Sequence, residues 1–180
     1  MAKLYLSLPS QPGEEYPNGG EEQYWIGKVA DSLEAALSNS GVKPFRIPGS
    51  VKEGRLLRAA NRGENCLYLM LCSQTAPPDS AGQRKGSDVY YREQCGVEKA
   101  AAELFAARLK EIYPQPELAG TRPVSETEEQ EKDASPTLLI KLAYRDNPQD
   151  EAWLVNNTIE IGEKLAQAAA EALGLPFFHA

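Results

Sequence analysis

The stretch "SPTLLIKLAYRDNPQDEAWL", residues 135–154, decides how this chain is read. Leu138, Leu139, Ile140 and Leu142 form a nearly continuous apolar run, the pattern of a strand buried on both faces. Asn147 and Pro148 mark a turn, and a short helix follows through Trp153 and Leu154. A buried strand that turns directly into a helix is a unit of α/β architecture. Lys141 interrupts the apolar run. An ammonium group there needs a reason, because an unpaired buried charge is costly.

Working outward, the same alternation of strands and helices recurs along the chain. Strands are expected near residues 3–8, 42–47, 66–72, 87–91 and 137–144. The run "CLYLMLC", Cys66 to Cys72, is the most continuous of the earlier ones. A helix is expected from about Glu21, with Ile26, Val29, Ala30, Leu33 and Leu37 on one face. A second helix is expected from Ser50 to Gly63, with Ser50 and Glu53 at capping-box spacing. A third runs from Val97 to Tyr113, with Val97, Ala101, Leu104, Phe105 and Ile112 inward, and Pro114 and Pro116 end it. Thr158 is placed to cap the last helix, whose inner face is Ile161, Leu165, Ala168, Ala169 and Ala172. The acidic run "SETEEQEKDAS" reads as a solvated segment. The expected fold is a single α/β domain over residues 1–180, with a mainly parallel central sheet and helices on both faces.

The chain has 180 residues, 42% hydrophobic and 25% charged, and a formal net charge of −7. That charge argues against nucleic-acid partners, which require a basic surface to neutralise phosphates. No apolar run reaches the length of a membrane span. The N-terminal "MAKLYLSLPSQPG" lacks a signal-peptide pattern and reads as the first strand, so a cytoplasmic location is expected, with the cell wall reached only after release or non-classical export. Cys66, Cys72 and Cys95 form neither a disulfide framework nor a CxxC pair.

Several segments, in order, carry a family resemblance: "KLYLSLPSQ", "EEQYWIGKVADSLEAAL", "LLRAANRGENCLYLMLC", "KGSDVYY" and "PTLLIKLAYRDNPQDEAWLVN". Together they resemble the bacterial zinc-dependent N-acetylmuramoyl-L-alanine amidases of type 3. The last segment is the most specific, with Tyr144, Asn147, Asp150 and Leu154 fitting the family pattern. The resemblance implies a phosphorylase/hydrolase-like α/β fold and a cleft that handles peptidoglycan. In the family, two histidines and a glutamate hold one zinc, and a second glutamate acts as general base. Three protein ligands leave an open position where the metal lowers the bound water's pKa to ~7.

Mapped onto this chain, the two histidine positions fall on Ser10 and Cys72, the ligand glutamate on Glu22, and the general base on Lys141. The one histidine, His179, matches no ligand position. One chemical position of four survives. The resemblance therefore implies the amidase fold with a cleft of Ser10, Glu22, Cys72 and Lys141, and no metal is expected in it. Glu22 is the retained metal-ligand position, although a helix-opening acid suffices to explain it.

For Lys141 two readings stand. It is a buried amine poised as nucleophile or base, or it supplies beside Glu22 the positive charge that zinc supplies elsewhere. The second is preferred because buried charges are paired. Cys72 is a zinc thiolate, a nucleophile without a placed histidine base, or a small thiol at a strand end, the last being preferred. Asp88 and Tyr90 share one strand face and Tyr91 the other. Arg58 and Asn61 read as fold-stabilising, and Trp25 and Trp153 as packing.

Three functions follow from the resemblance. The first is an inactive amidase homologue whose cleft binds a peptidoglycan fragment or a protein partner. The alternative is an active amidase that cleaves the MurNAc–L-Ala amide with zinc in a non-standard set including Glu22 and Cys72. The third is a different hydrolase using Lys141 and Cys72, for which no triad is recognisable.

Overall fold

The computed structural model describes residues 1–9, 14–47, 64–125 and 136–178. Ser10, the helix expected over residues 50–63 with Arg58 and Asn61, most of the acidic run, and His179 lie outside the described residues. The strands are β1 (Ala2–Ser7), β2 (Val42–Ile47), β3 (Cys66–Gln74), β4 (Ser87–Arg92), β5 (Ala119–Val124) and β6 (Thr137–Tyr144). The helices are α1 (Glu22–Ala36), α2 (Gly96–Ile112), α3 (Pro148–Asn156) and α4 (Thr158–Ala172). They build one α/β domain around a single six-stranded sheet of order β2-β1-β3-β6-β4-β5.

Strands β2, β1, β3 and β6 run parallel, as the apolar runs in β3 and β6 predict. The sheet then reverses. β4 pairs with β6 antiparallel, and β5 continues parallel to β4. β5 is absent from the sequence reading because Gly120 and Pro123 weaken its strand signal. Its place at the sheet edge explains why a proline is tolerated there.

Alternation sends Leu67, Leu69 and Leu71 of β3 and Leu138, Ile140 and Leu142 of β6 to the same face. They pack with Ile26, Val29 and Leu33 of α1, Phe105 and Leu109 of α2, and Ile161 and Leu165 of α4. Each such side chain contributes about 1.5–3 kcal/mol when fully buried. Val97, expected on the inner face of α2, is exposed. Ala101 and Phe105 are buried as expected, and Ala102, Ala106 and Leu109 complete the buried stripe, rotated toward the small residues that admit the sheet. On the other sheet face Tyr5 stacks on Tyr68 at 4.7 Å and on Phe45 at 5.4 Å.

Two contacts lock the helices to this frame. Gly162 lets α4 approach α1 closely: a Cβ there would lie 2.5 Å from Ser32 Cβ and 2.7 Å from the Val29 carbonyl oxygen. At the N-terminus of α2, the buried Glu98 carboxylate accepts from the Arg92 amide, Nε and Nη2 and from the Thr137 amide, at 2.7–3.0 Å. It thereby joins the end of β4 to the start of β6. Thr158 does not cap α4 as expected. It is the first helical residue, and the residue before it, Asn157, turns its side chain back to the Trp153 carbonyl.

Candidate functional site

The candidate site lies where β3 and β6 end and α1 begins. The chain enters α1 through a tight turn at residues 16–20. The Gly19 amide donates to the Tyr16 carbonyl, the Tyr16 amide to the Gly20 carbonyl, and the Glu22 amide to the Glu14 carbonyl. Gly20, at φ +87°, lies where only a glycine fits, because a Cβ would meet the Trp25 indole nitrogen at 2.4 Å. This turn delivers Glu22 to the first position of α1, where the helix dipole favours a carboxylate.

Glu22 is buried and well satisfied. Its Oε1 accepts from the Ser73 amide and from Ser73 Oγ, each at 2.6 Å. The cation facing it is Arg145, whose Nη1 lies 3.8 Å from the same oxygen. Arg145 also pairs with Glu14, and its amide donates to the Gln74 carbonyl at 2.8 Å. The expected Glu22–Lys141 pair is therefore corrected. The positive charge at Glu22 comes from Arg145, four residues further along.

The reason is register. Cys72 is the parallel partner of Lys141, so these two side chains share a face. Ser73, the next residue, points to the other face and takes Glu22 with it. Past this point Gln74 pairs with Tyr144, so β6 carries one extra residue, a bulge that advances Arg145 to the Glu22 side.

Lys141 lies half-buried on the Cys72 side. Its Nζ sits 5.0 Å from the centroid of the Tyr90 ring. Asp88 is its direct cross-strand partner, but the Asp88 carboxylate is held by Gln74 Nε2 at 3.0 Å and Arg122 Nε at 2.9 Å. Burial, together with the Asp88 charge, pushes the Tyr90 phenol above its ordinary value. Cys72 is a partly buried thiol on the same face as Lys141.

Tyr16, which the sequence reading did not single out, is the further residue of the site. It is 2% exposed and lies beside Ser73, near Glu22 and Arg145. Burial pushes its pKa up, and the Glu22 charge adds to the shift, so the phenol stays a donor at neutral pH. A tyrosine one residue before a Pro-Asn-Gly-Gly turn carries no signal of that role.

One segment, residues 144–151, holds the surrounding loops. Asp146 accepts from the Ala76 and Gly82 amides at 3.1 and 2.8 Å. Asn147 caps α3 through the Gln149 and Asp150 amides and donates to the Gly82 carbonyl. Asp150 accepts from the Gly86 and Tyr144 amides and from the Tyr113 hydroxyl. Glu151 accepts from the amide and side chain of Asn18 in the turn before α1. The residues that carry the family resemblance thus tie together the loops after β3, before β4 and before α1.

Among the described residues no group of three or more His, Cys, Asp or Glu side chains could hold a metal ion. A catalytic zinc needs three protein ligands and an open position. Here the retained carboxylate already accepts two hydrogen bonds and faces a guanidinium. The described residues of this site do not fit zinc.

No family model matches the chain, and no curated protein matches it. Its fold is that of the N-acetylmuramoyl-L-alanine amidases, as the resemblance implied. Ami1 from Mycobacterium smegmatis superposes with a TM-score of 0.75 at 15% identity, over 96% of each chain. AmiC2 of Nostoc punctiforme gives 0.70 at 18% identity over 94% of each. The CwlD amidase from Clostridioides difficile, solved in complex with the GerS lipoprotein, gives 0.71 at 13% identity over 96% of this chain and 98% of that one.

Proposed function

We propose that this chain is a divergent amidase-family protein that binds a peptidoglycan fragment in its cleft and does not hydrolyse it. One observation carries the reading. The Glu22 carboxylate, at the family's metal-ligand position, accepts from both donors of Ser73 and faces Arg145. A dication at that carboxylate would have to displace those donors and sit beside a guanidinium, with the Lys141 ammonium on the neighbouring strand, an unfavourable field for it. With Lys141 at the general-base position, the described residues place no carboxylate there to take a proton from an attacking water.

The 144–151 segment holds the loops around the candidate site through Asp146, Asn147, Asp150 and Glu151. A surface of this kind suits recognition of a polar fragment by a few placed donors.

The test has two arms. Purified protein is incubated with peptidoglycan and added zinc, and the release of peptides with a new L-alanine amino terminus is followed by chromatography. Binding of N-acetylmuramoyl-L-alanine is measured by calorimetry. Binding without peptide release is expected. Zinc retained stoichiometrically through dialysis, together with peptide release, overturns the reading in favour of an active amidase with a non-standard metal site.

A further inference from the structure

We propose that Lys141 and Arg122 form a phosphate-binding seat on the sheet face turned away from Glu22. The seat goes beyond the peptidoglycan reading and does not rest on it.

Strand register assembles it. Cys72 of β3 pairs with Lys141 of β6, Lys141 with Asp88 of β4, and Asp88 with Gly120 of β5. Directly paired residues project to one face, so these four positions form a single row across the sheet. The next row on that face holds Leu139, Tyr90 and Arg122, again paired in register. Two contacts tie the rows together. Arg122 Nε reaches back to Asp88 Oδ1 at 2.9 Å, and the Lys141 ammonium lies 5.0 Å from the centroid of the Tyr90 ring. Both cations thus lean over β4 from opposite sides, one onto Asp88 and one onto Tyr90. Those two residues stand about 7 Å apart along the strand. One phosphate with a hydrogen bond on each side covers such a span. The space above the row is open at Gly120, where a Cβ would meet nothing within 4 Å, and the Arg122 side chain is 63% exposed.

The charges point to the ligand. The Asp88 carboxylate is fully committed, Oδ1 to Arg122 and Oδ2 to Gln74 Nε2 at 3.0 Å. Among the described residues Lys141 contacts the Tyr90 ring and forms no ion pair, and Arg122 bonds Asp88 through Nε alone. The tyrosine ring steadies the ammonium without neutralising it. Two cations against one acid leave an unmatched positive charge. The chain has a formal net charge of −7, so this is a local feature and not part of a general basic surface. An ammonium and the two terminal guanidinium nitrogens are donors in need of acceptors. They suit several anionic oxygens on one centre. Phosphate takes the guanidinium nitrogens side by side and the lysine as a point charge, whereas a carboxylate offers only two oxygens.

Inorganic phosphate, methyl phosphate and acetate are titrated calorimetrically into the full chain at fixed ionic strength. Phosphate is expected to bind at least about tenfold more tightly than acetate, the scale of one charge-assisted hydrogen bond. Lys141→Met and Arg122→Gln should each weaken phosphate by about the same factor, and Lys141→Arg should retain it. Arg122 is exposed, so Arg122→Gln tests the seat even if Lys141→Met fails to fold. Methyl phosphate binding more tightly than inorganic phosphate supports the seat with a phosphate ester as its ligand, and the reverse order supports it with the free ion. Acetate binding as tightly as phosphate, no binding of either phosphate, or phosphate binding that a folded Lys141 or Arg122 variant leaves unchanged overturns the proposal.

Discussion

Glu22 and Ser73 are joined twice, the serine amide and hydroxyl both donating to one carboxylate oxygen at 2.6 Å. This contact ties the start of α1 to the end of β3. Ser73→Ala removes one donor and leaves the amide in place, so a loss of about 1–2 kcal/mol is expected. Glu22→Ala strands both buried donors and should cost more, about 2–4 kcal/mol. Urea denaturation of the two variants checks the order; a Glu22→Ala protein as stable as Ser73→Ala would refute it.

Lys141→Glu restores the family's general-base residue but should not restore hydrolysis. It sets a carboxylate directly across the strand from Asp88, and like charges in that position are destabilising, here by about 1 kcal/mol. Because Glu22 remains engaged with Ser73 and Arg145, peptide release from peptidoglycan in the presence of zinc should stay at background. Detectable turnover by this variant would show that Glu22 can be freed for a metal.

Asp150 gathers two backbone amides and the Tyr113 hydroxyl. Burial raises its pKa above the ordinary aspartate value despite those hydrogen bonds, so the folded state holds the proton more tightly than the unfolded chain. The sign follows. Asp150 favours folding most below its unfolded pKa, and that contribution is lost as pH rises through the raised folded value. Relative to Asp150→Asn, the wild type should gain stability as pH falls from neutral through this window. At neutral pH Asp150→Asn should be tolerated, since its amide can donate to the Tyr113 oxygen, whereas Asp150→Ala should cost about 2–4 kcal/mol. Thermal melts of the three proteins across pH distinguish these outcomes.

Glu98 is fully buried and is the counter-charge of the buried Arg92. Glu98→Ala removes the buried carboxylate that accepts from Arg92 and from the Thr137 amide, with an expected loss of about 3–5 kcal/mol. Glu98→Gln keeps the acceptor oxygen and should lose less. Chemical denaturation that ranks the two variants equally would show that the charge itself contributes little.

Gly162→Ala tests the approach of α1 and α4. The added methyl group would lie within 3 Å of the Val29 carbonyl and the Leu33 amide, so the helices must separate. A loss of about 1–3 kcal/mol is expected, read as a lowered melting temperature.

The strands β1, β2, β3, β4 and β6 and the described helices were legible in the chain because their signals are local. Apolar runs of strand length, helical spacing at Ile26, Val29 and Leu33, and the Asn147–Pro148 helix start need no knowledge of neighbours. Glu22 as the opening acid of α1 was legible for the same reason. β5 was not, because its residues form a strand only by completing the edge beside β4. The antiparallel turn of β4 against β6 was equally out of reach, since strand direction depends on the path of the connection and not on composition.

The sequence by itself determined that Glu22 opens a helix and that Cys72 and Lys141 lie late in two apolar strands. Only the tertiary structure decided which of them meet. Side chains in a strand change face at every residue, so a partner assignment turns on register to within a single position. Ser73 instead of Cys72 faces Glu22, and one extra residue in β6 lets Arg145 rather than Lys141 supply the opposing charge. Lys141 is left over the Tyr90 ring, on the other side of the same strand ends.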